Sequence, residues 1–211
     1  TNVGNDTAHL ANTAKAAKAA LHVDELEAVA DRGYFDGEEI LACDRAGITV
    51  TLPKRMTSGA KSEGRFGKQD FVYLADENVY RCPAGAKLKY YYTNEEKGQK
   101  LHRYWTTACR TCALKAKCTK GPQRRITRWE HEEVVEAVQA RLDRNPEAMR
   151  TRRETVEHPF GTIKMRMGAT HFLMKTLPKV ATEMALCVLT YNLTRVLNIV
   201  GVENLMEAIK A

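Results

Sequence analysis

The chain is 211 residues long, 44% hydrophobic and 28% charged, with 33 Lys and Arg against 26 Asp and Glu for a formal charge of +7. That balance excludes a disordered tail, a collagen and a coiled-coil rod, and fits one domain or one domain carrying a large insertion. No stretch reaches the roughly 18 apolar residues of a membrane span, since the richest, Val180 to Val202, is broken by Glu183, Asn192 and Arg195.

Asp6 stands before an Ala-rich run, Thr7 to Leu21, with Leu10, Ala14, Ala17 and Leu21 at helical spacing, which predicts an N-cap and a first helix. Leu26 to Ala30 is a short apolar run stopped by Asp31-Arg32-Gly33-Tyr34 and reads as a strand. Asp36-Gly37-Glu38-Glu39 opens a second helix through Ala46, with Gly47 as its stop, and Ile48 to Leu52 is β-branched and ends at Pro53. Helix, strand, helix, strand is a parallel α/β pattern. From Lys54 to Arg128 the pattern changes to a Gly-, Lys- and Ser-rich run at 57–68 and short Tyr-rich pieces, which predicts an irregular, strand-poor insertion. Trp129 to Arg144 reads as a helix with Val134, Val135, Val138 and Leu142 on one side. A further helix restarts at Asn145-Pro146 and is interrupted by Pro159 and Gly161. The last runs from about Leu177 to Ile199 with Val180, Met184, Val188 and Tyr191 on a core face. The chain thus divides into 1–53, a basic insertion at 54–128, and a helical part at 129–211.

The charge is unevenly spread. Residues 1–60 carry a net −3, residues 61–130 a net +9 and residues 131–211 a net +1. A concentrated basic middle suits a polyanion, although a solvated Lys-rich surface would look the same. Four of the six cysteines fall in that middle: Cys82-Pro83-Ala84-Gly85, then Cys109-Arg110-Thr111-Cys112, then Cys118. A C-x2-C pair turns two sulfurs toward one metal, and Cys118 and Cys82 would complete a tetrahedral set of thiolates. Structural Zn²⁺ is the leading reading, with an iron–sulfur cluster or reduced thiols as alternatives, and His102 or His131 as substitute ligands. Cys43 and Cys187 sit among apolar neighbours and read as core packing. The start of the chain has no basic-then-apolar leader, so disulfides are disfavoured and a cytoplasmic protein is expected.

Two places offer catalytic carboxylates. Asp31 directly follows an apolar strand, where open α/β sheets place ligands. Glu157 lies in a helix flanked by Arg153 and Lys164. Phosphoryl transfer with divalent cations needs carboxylates from different parts of a fold, with cations beside the phosphate. The bland alternatives are a turn aspartate and a helix-surface ion pair.

Val29-Ala30-Asp31-Arg32-Gly33-Tyr34 resembles the second-aspartate segment of the DDE insertion-sequence transposases built on an RNase H-like sheet. Arg153-x3-Glu157-x6-Lys164 matches the R-x3-E-x6-K part of the signature of one branch of those enzymes, although Arg150 stands where the signature has Tyr. The text from Arg152 to Lys164, Met167-Gly168, Tyr191-Asn192-Leu193 and the cysteine-bearing insertion extend the resemblance from Asn5 to Gly201.

The resemblance implies an RNase H-like α/β fold, incomplete at its N-terminus, with the cysteine-containing stretch as an insertion. It implies that Asp31 and Glu157 are the second and third acidic ligands of a site for two Mg²⁺ ions. Those ions would activate water or a 3′-hydroxyl and stabilise the leaving oxygen during DNA cleavage and strand transfer. Glu154 competes with Glu157, and only the spacing to Lys164 favours the latter. Arg153 and Lys164 would contact phosphate at the scissile bond, and Arg150 and Arg152 the DNA backbone. The implied partners are insertion-sequence ends, target DNA, and a second copy or a complementing N-terminal segment. No first aspartate is in sight, since Asp6 reads as a cap and Asp24 as a loop residue, and the strand ending at Asp31 is expected to have an open edge. The rival readings are a non-catalytic DNA-binding remnant and a zinc-stabilised interaction module.

Overall fold

A computed structural model describes residues 6–55 and 59–210. Asn5 and the start of the run at 57 lie outside them. The first elements follow the expected alternation: α1 Leu10–Leu21, β1 Leu26–Val29, α2 Gly37–Asp44 and β2 Ile48–Thr51. β1 and β2 pair in parallel, from Leu26 opposite Ile48 to Val29 opposite Thr51, and among the described residues β1 has no strand on its other edge. Ile40, Ile48, Val50 and Leu52 are fully buried against α1 and contribute about 2 kcal/mol each. Cys43 is buried with them, which pushes its thiol up to about 11, so it behaves as a small apolar residue.

The one N-cap expected from sequence, Asp6, is not found. Asp36 accepts from the Glu38 and Glu39 amides at 3.0 and 3.2 Å at the start of α2. Asp6 does not cap α1, which begins after His9 with no side-chain cap of its own. Its orphan Ala11 amide donates to Glu39 Oε2 at 2.8 Å, so a neighbouring helix supplies the acceptor that sequence places at Asp6.

Residues 54–128 correct the expectation of a strand-poor insertion. β3 Val72–Leu74, β4 Val79–Arg81, β5 Lys87–Glu96, β6 Gln99–Trp105 and β7 Arg125–Trp129 form an antiparallel sheet in chain order. Lys87-Leu88-Lys89-Tyr90 alternates charged and apolar residues, the period of a half-buried strand, and the lysines disguise it as solvated loop. Lys97 and Gly98, at φ 54° and 79°, make the tight turn between β5 and β6. Phe71, Tyr80, Leu88, Tyr104 and Ile126 form the core on one face.

Trp129 ends β7 opposite Leu101 rather than opening a helix, and α3 is Glu132–Arg144. This helix joins the two sheets. Glu132 accepts from the Trp129 amide at 3.2 Å and meets Lys68 at 2.7 Å. Arg141 donates twice to the Val50 carbonyl, at 3.0 and 2.8 Å. Beyond it come α4 Ala148–Arg152, a π-helical turn Arg153–Glu157, α5 His158–Gly161 and a second π turn Thr162–Arg166. Pro159 and Gly161 therefore do not interrupt the helical path. Pro159 falls in the first turn of α5, directly after the first π turn.

α6 Leu177–Val200 and α7 Val202–Lys210 finish the chain, with a bend of 107° at Gly201. No side chain of α6 is buried, so the expected core face of Val180, Met184, Val188 and Tyr191 has no core to meet among the described residues. Among the described residues no single helix is long and apolar enough to cross a membrane.

Candidate functional site

Asp31 lies just past β1, where the Ala30 amide still bonds the Thr51 carbonyl at 3.1 Å. Its Oδ1 accepts from the Gly33 amide at 2.7 Å and caps the short 3-10 turn Arg32–Tyr34. A Cβ on Gly33 would stand 2.8 Å from Oδ1, so a side chain there would push the carboxylate away. Arg55 donates to the Arg32 and Gly33 carbonyls at 3.2 and 2.8 Å and braces the same turn. Burial first, then the charges of Asp6 and Asp31, hold the neighbouring Tyr34 hydroxyl above its ordinary range.

Arg152 brings the distant carboxylate to this turn. Its Nη2 lies 3.0 Å from Asp31 Oδ2 and its Nη1 3.5 Å from Glu157 Oε1. The guanidinium is largely covered, at 17% exposure, while Asp31 and Glu157 keep 42% and 59% of their side chains open. In a regular α-helix, residues five apart point about 140° away from each other. The π winding of Arg153–Glu157 reduces that angle and sets Arg152 and Glu157 on one side. Glu154 is turned elsewhere, accepting from Arg150 Nε at 3.0 Å.

The four arginines and lysines expected to face DNA divide in two. Arg150 is engaged with Glu147 and Glu154, and Arg152 with Asp31 and Glu157. Arg153 and Lys164 are exposed and, among the described residues, form no ion pair. For a divalent cation, the two carboxylates are the hard oxygen donors required. No group of three or more His, Cys, Asp or Glu side chains among the described residues is gathered as a formed metal site. Two oxygen donors of the type a divalent cation takes therefore face one another across Arg152.

The four clustered cysteines lie apart from this site. Cys82, Cys109, Cys112 and Cys118 line one small cavity, of about 20 Å³, against Phe71 and Leu88 of the sheet core. All are half-buried free thiols. Burial, which outweighs the lowering effect of Arg124, pushes the Cys118 thiol up, and the charges of Cys109, Cys82 and Cys112 add to it. His102, bonded to Thr93 at 2.6 Å, and His131, packed on Trp129, do not line the cavity.

One surface escaped sequence reasoning. On the sheet face opposite its core, Tyr91 stacks on Trp105 at 3.6 Å between centroids, and Arg125 lies 5.3 Å from the Trp105 ring. Tyr91 is the extra residue where the β5–β6 register shifts between Tyr90 and Tyr92, so Tyr91 and Tyr92 both reach the Trp105 ring. Lys89 and Arg81 lie exposed nearby on the paired strands, with no ion pair among the described residues. The triple tyrosine was visible in sequence, but the bulge at its middle member was not.

A strand-end aspartate and a helical glutamate thus meet over one arginine, Arg152. The chain belongs to the transposase DDE domain family, whose model matches residues 81–197, more than half its length. The match contains Glu157 and all four clustered cysteines, and Asp31 lies ahead of it. Membership brings DNA transposition, DNA as partner and the use of divalent metal. No curated protein and no solved structure matches the chain.

Proposed function

We propose that Asp31 and Glu157 are two of the three acidic ligands of a transposase centre that cleaves DNA and transfers the cut strand. The observation that carries this reading is the convergence of both carboxylates on Arg152. The engagement of Glu154 with Arg150 supports Glu157 as the third acid. On this reading α1, β1, α2 and β2 are part of an RNase H-like core. A first aspartate comes from a preceding segment or a second copy.

Asp31 and Glu157 would hold Mg²⁺, which when bound supplies a polarised phosphate and an activated attacking oxygen. Arg152 neutralises the two carboxylates, and a cation held there in its place would leave its guanidinium available to the DNA backbone. Arg153 and Lys164 neutralise the phosphate at the reacting bond. The Tyr91, Trp105 and Arg125 face offers a stacking platform for bases beside a distorted or unpaired strand.

The test is nicking of supercoiled DNA by the full-length enzyme with and without Mg²⁺. We expect Mg²⁺-dependent nicking that Asp31→Asn and Glu157→Gln abolish and Glu154→Gln leaves in place. Nicking that survives Glu157→Gln but not Glu154→Gln would assign the wrong glutamate. DNA binding without nicking in any form would favour the non-catalytic reading.

A further inference from the structure

The segment between β6 and β7 has no strand and no long helix, only the 3-10 turns Thr107–Arg110 and Lys115–Lys117. A connection of this length in a packed domain needs something to fix it. Its hydrogen bonds are mostly local, with the Phe66 amide donating to the Lys117 carbonyl at 2.8 Å as one tie outward. Three of the four clustered thiols lie in this segment and the fourth, Cys82, lies at the end of β4. There the Gly85 amide donates to the Cys82 carbonyl at 2.8 Å and the Cys82 amide to the Ala86 carbonyl at 2.9 Å. Gly85, at φ 82°, closes that turn and holds Cys82 toward the loop.

We propose that Cys82, Cys109, Cys112 and Cys118 bind a single Zn²⁺ ion, and that this ion ties the β6–β7 loop to the end of β4. The four sulfurs come from three separate turns and line one small cavity, whose volume of about 20 Å³ admits an atom-sized guest. Soft thiolates select zinc over the hard cations suited to Asp31 and Glu157. Binding exchanges four S–H bonds for four S–Zn bonds and releases the protons to water, leaving a net negative centre. Lys115 and Arg124 line the same cavity and offset that charge. The sulfurs are not gathered at coordination distance, so closing the tetrahedron takes rotation of half-buried side chains on short turns. The site is independent of the carboxylates, so its test stands whether or not the chain cuts DNA.

The experiment is elemental analysis of the full chain purified under reducing conditions, followed by exchange of the bound metal for Co²⁺. We expect a single equivalent of zinc and, with cobalt, the intense visible bands of a tetrahedral thiolate site. Cys112→Ser and Cys118→Ser lose the stoichiometric metal, whereas Cys43→Ser and Cys187→Ser keep it. Chelation exposes the β6–β7 loop to limited proteolysis and added zinc protects it again. The cobalt spectrum needs no variant, so a substitution that fails to fold leaves the test intact. Wild-type chain without zinc and without thiolate bands, a disulfide among the four cysteines, or iron with labile sulfide would each overturn the proposal.

Discussion

Gly33 and Arg152 set the position of Asp31 from opposite sides. The Gly33 amide holds Oδ1 at 2.7 Å and the Arg152 guanidinium holds Oδ2 at 3.0 Å. Gly33→Ala places a methyl 2.8 Å from Oδ1, and the carboxylate end of the side chain is what yields. We predict a tenfold or greater loss of cleavage with the melting temperature nearly unchanged, because about 1.4 kcal/mol of misplacement costs a factor of ten in rate. Unchanged cleavage in Gly33→Ala would mean that Asp31 is not held by that amide when it works. Asp31 was legible in sequence because an acid at the end of an apolar strand is a local pattern. The engagement of Arg152 was not, because it depends on a π turn that no spacing of residue types announces. Sequence placed Arg152 on the DNA backbone, and the structure places it between the two carboxylates.

α3 is the element that ties the α/β part to the antiparallel sheet, and Glu132 is its anchor. Burial alone would raise the Glu132 carboxyl, but Lys68, Lys54 and the Trp129 amide together hold it below its ordinary range. A carboxyl depressed in the folded state contributes stability above its unfolded value. That contribution is lost as pH falls through the folded value. Glu132→Gln is therefore expected to destabilise the chain by about 2 kcal/mol near neutral pH. This is less than for a fully buried pair, because Lys68 keeps a third of its side chain in water. The gap between variant and parent should close in acid, which urea unfolding at a series of pH values would show. A gap that widened toward low pH would contradict the ion-pair account.

The five-stranded sheet is the element that sequence missed, and the reason is physical. Its outer face is lined with Lys and Arg, so the apolar members of each strand look isolated when read along the chain. The same face yields a prediction. Tyr91→Ala and Trp105→Ala should each weaken binding to single-stranded DNA by about 1–3 kcal/mol, with little change in salt dependence. Arg125→Ala should weaken binding and make the salt slope shallower by about one phosphate contact. Fluorescence anisotropy across a salt series separates the two, and equal salt slopes in all three variants would refute the division of roles.

At the scale of the molecule, the α/β start was read correctly from periodicity, and the closing helix was found at nearly its true bounds. Its surroundings were not. α6 and α7 leave Leu186, Leu189, Leu193, Ile199 and Ile209 at least half exposed, more large apolar side chains than two helices ordinarily show to water. Periodicity reports that a face is apolar and cannot report what lies against it. The edge of β1 that has no strand among the described residues is a fact of the same kind.

The convergence of Asp31 and Glu157 ties these scales together, because it needs the strand end, the π turn and the seating of α3. Its most direct test is titration of the full chain with Mn²⁺, a paramagnetic stand-in for Mg²⁺, followed by electron paramagnetic resonance. Binding should be lost in both Asp31→Asn and Glu157→Gln, kept in Glu154→Gln, and strengthened in Arg152→Gln, where the competing guanidinium is gone. Mn²⁺ binding that persists in both carboxylate variants, or that disappears only with Glu154, would contradict the account.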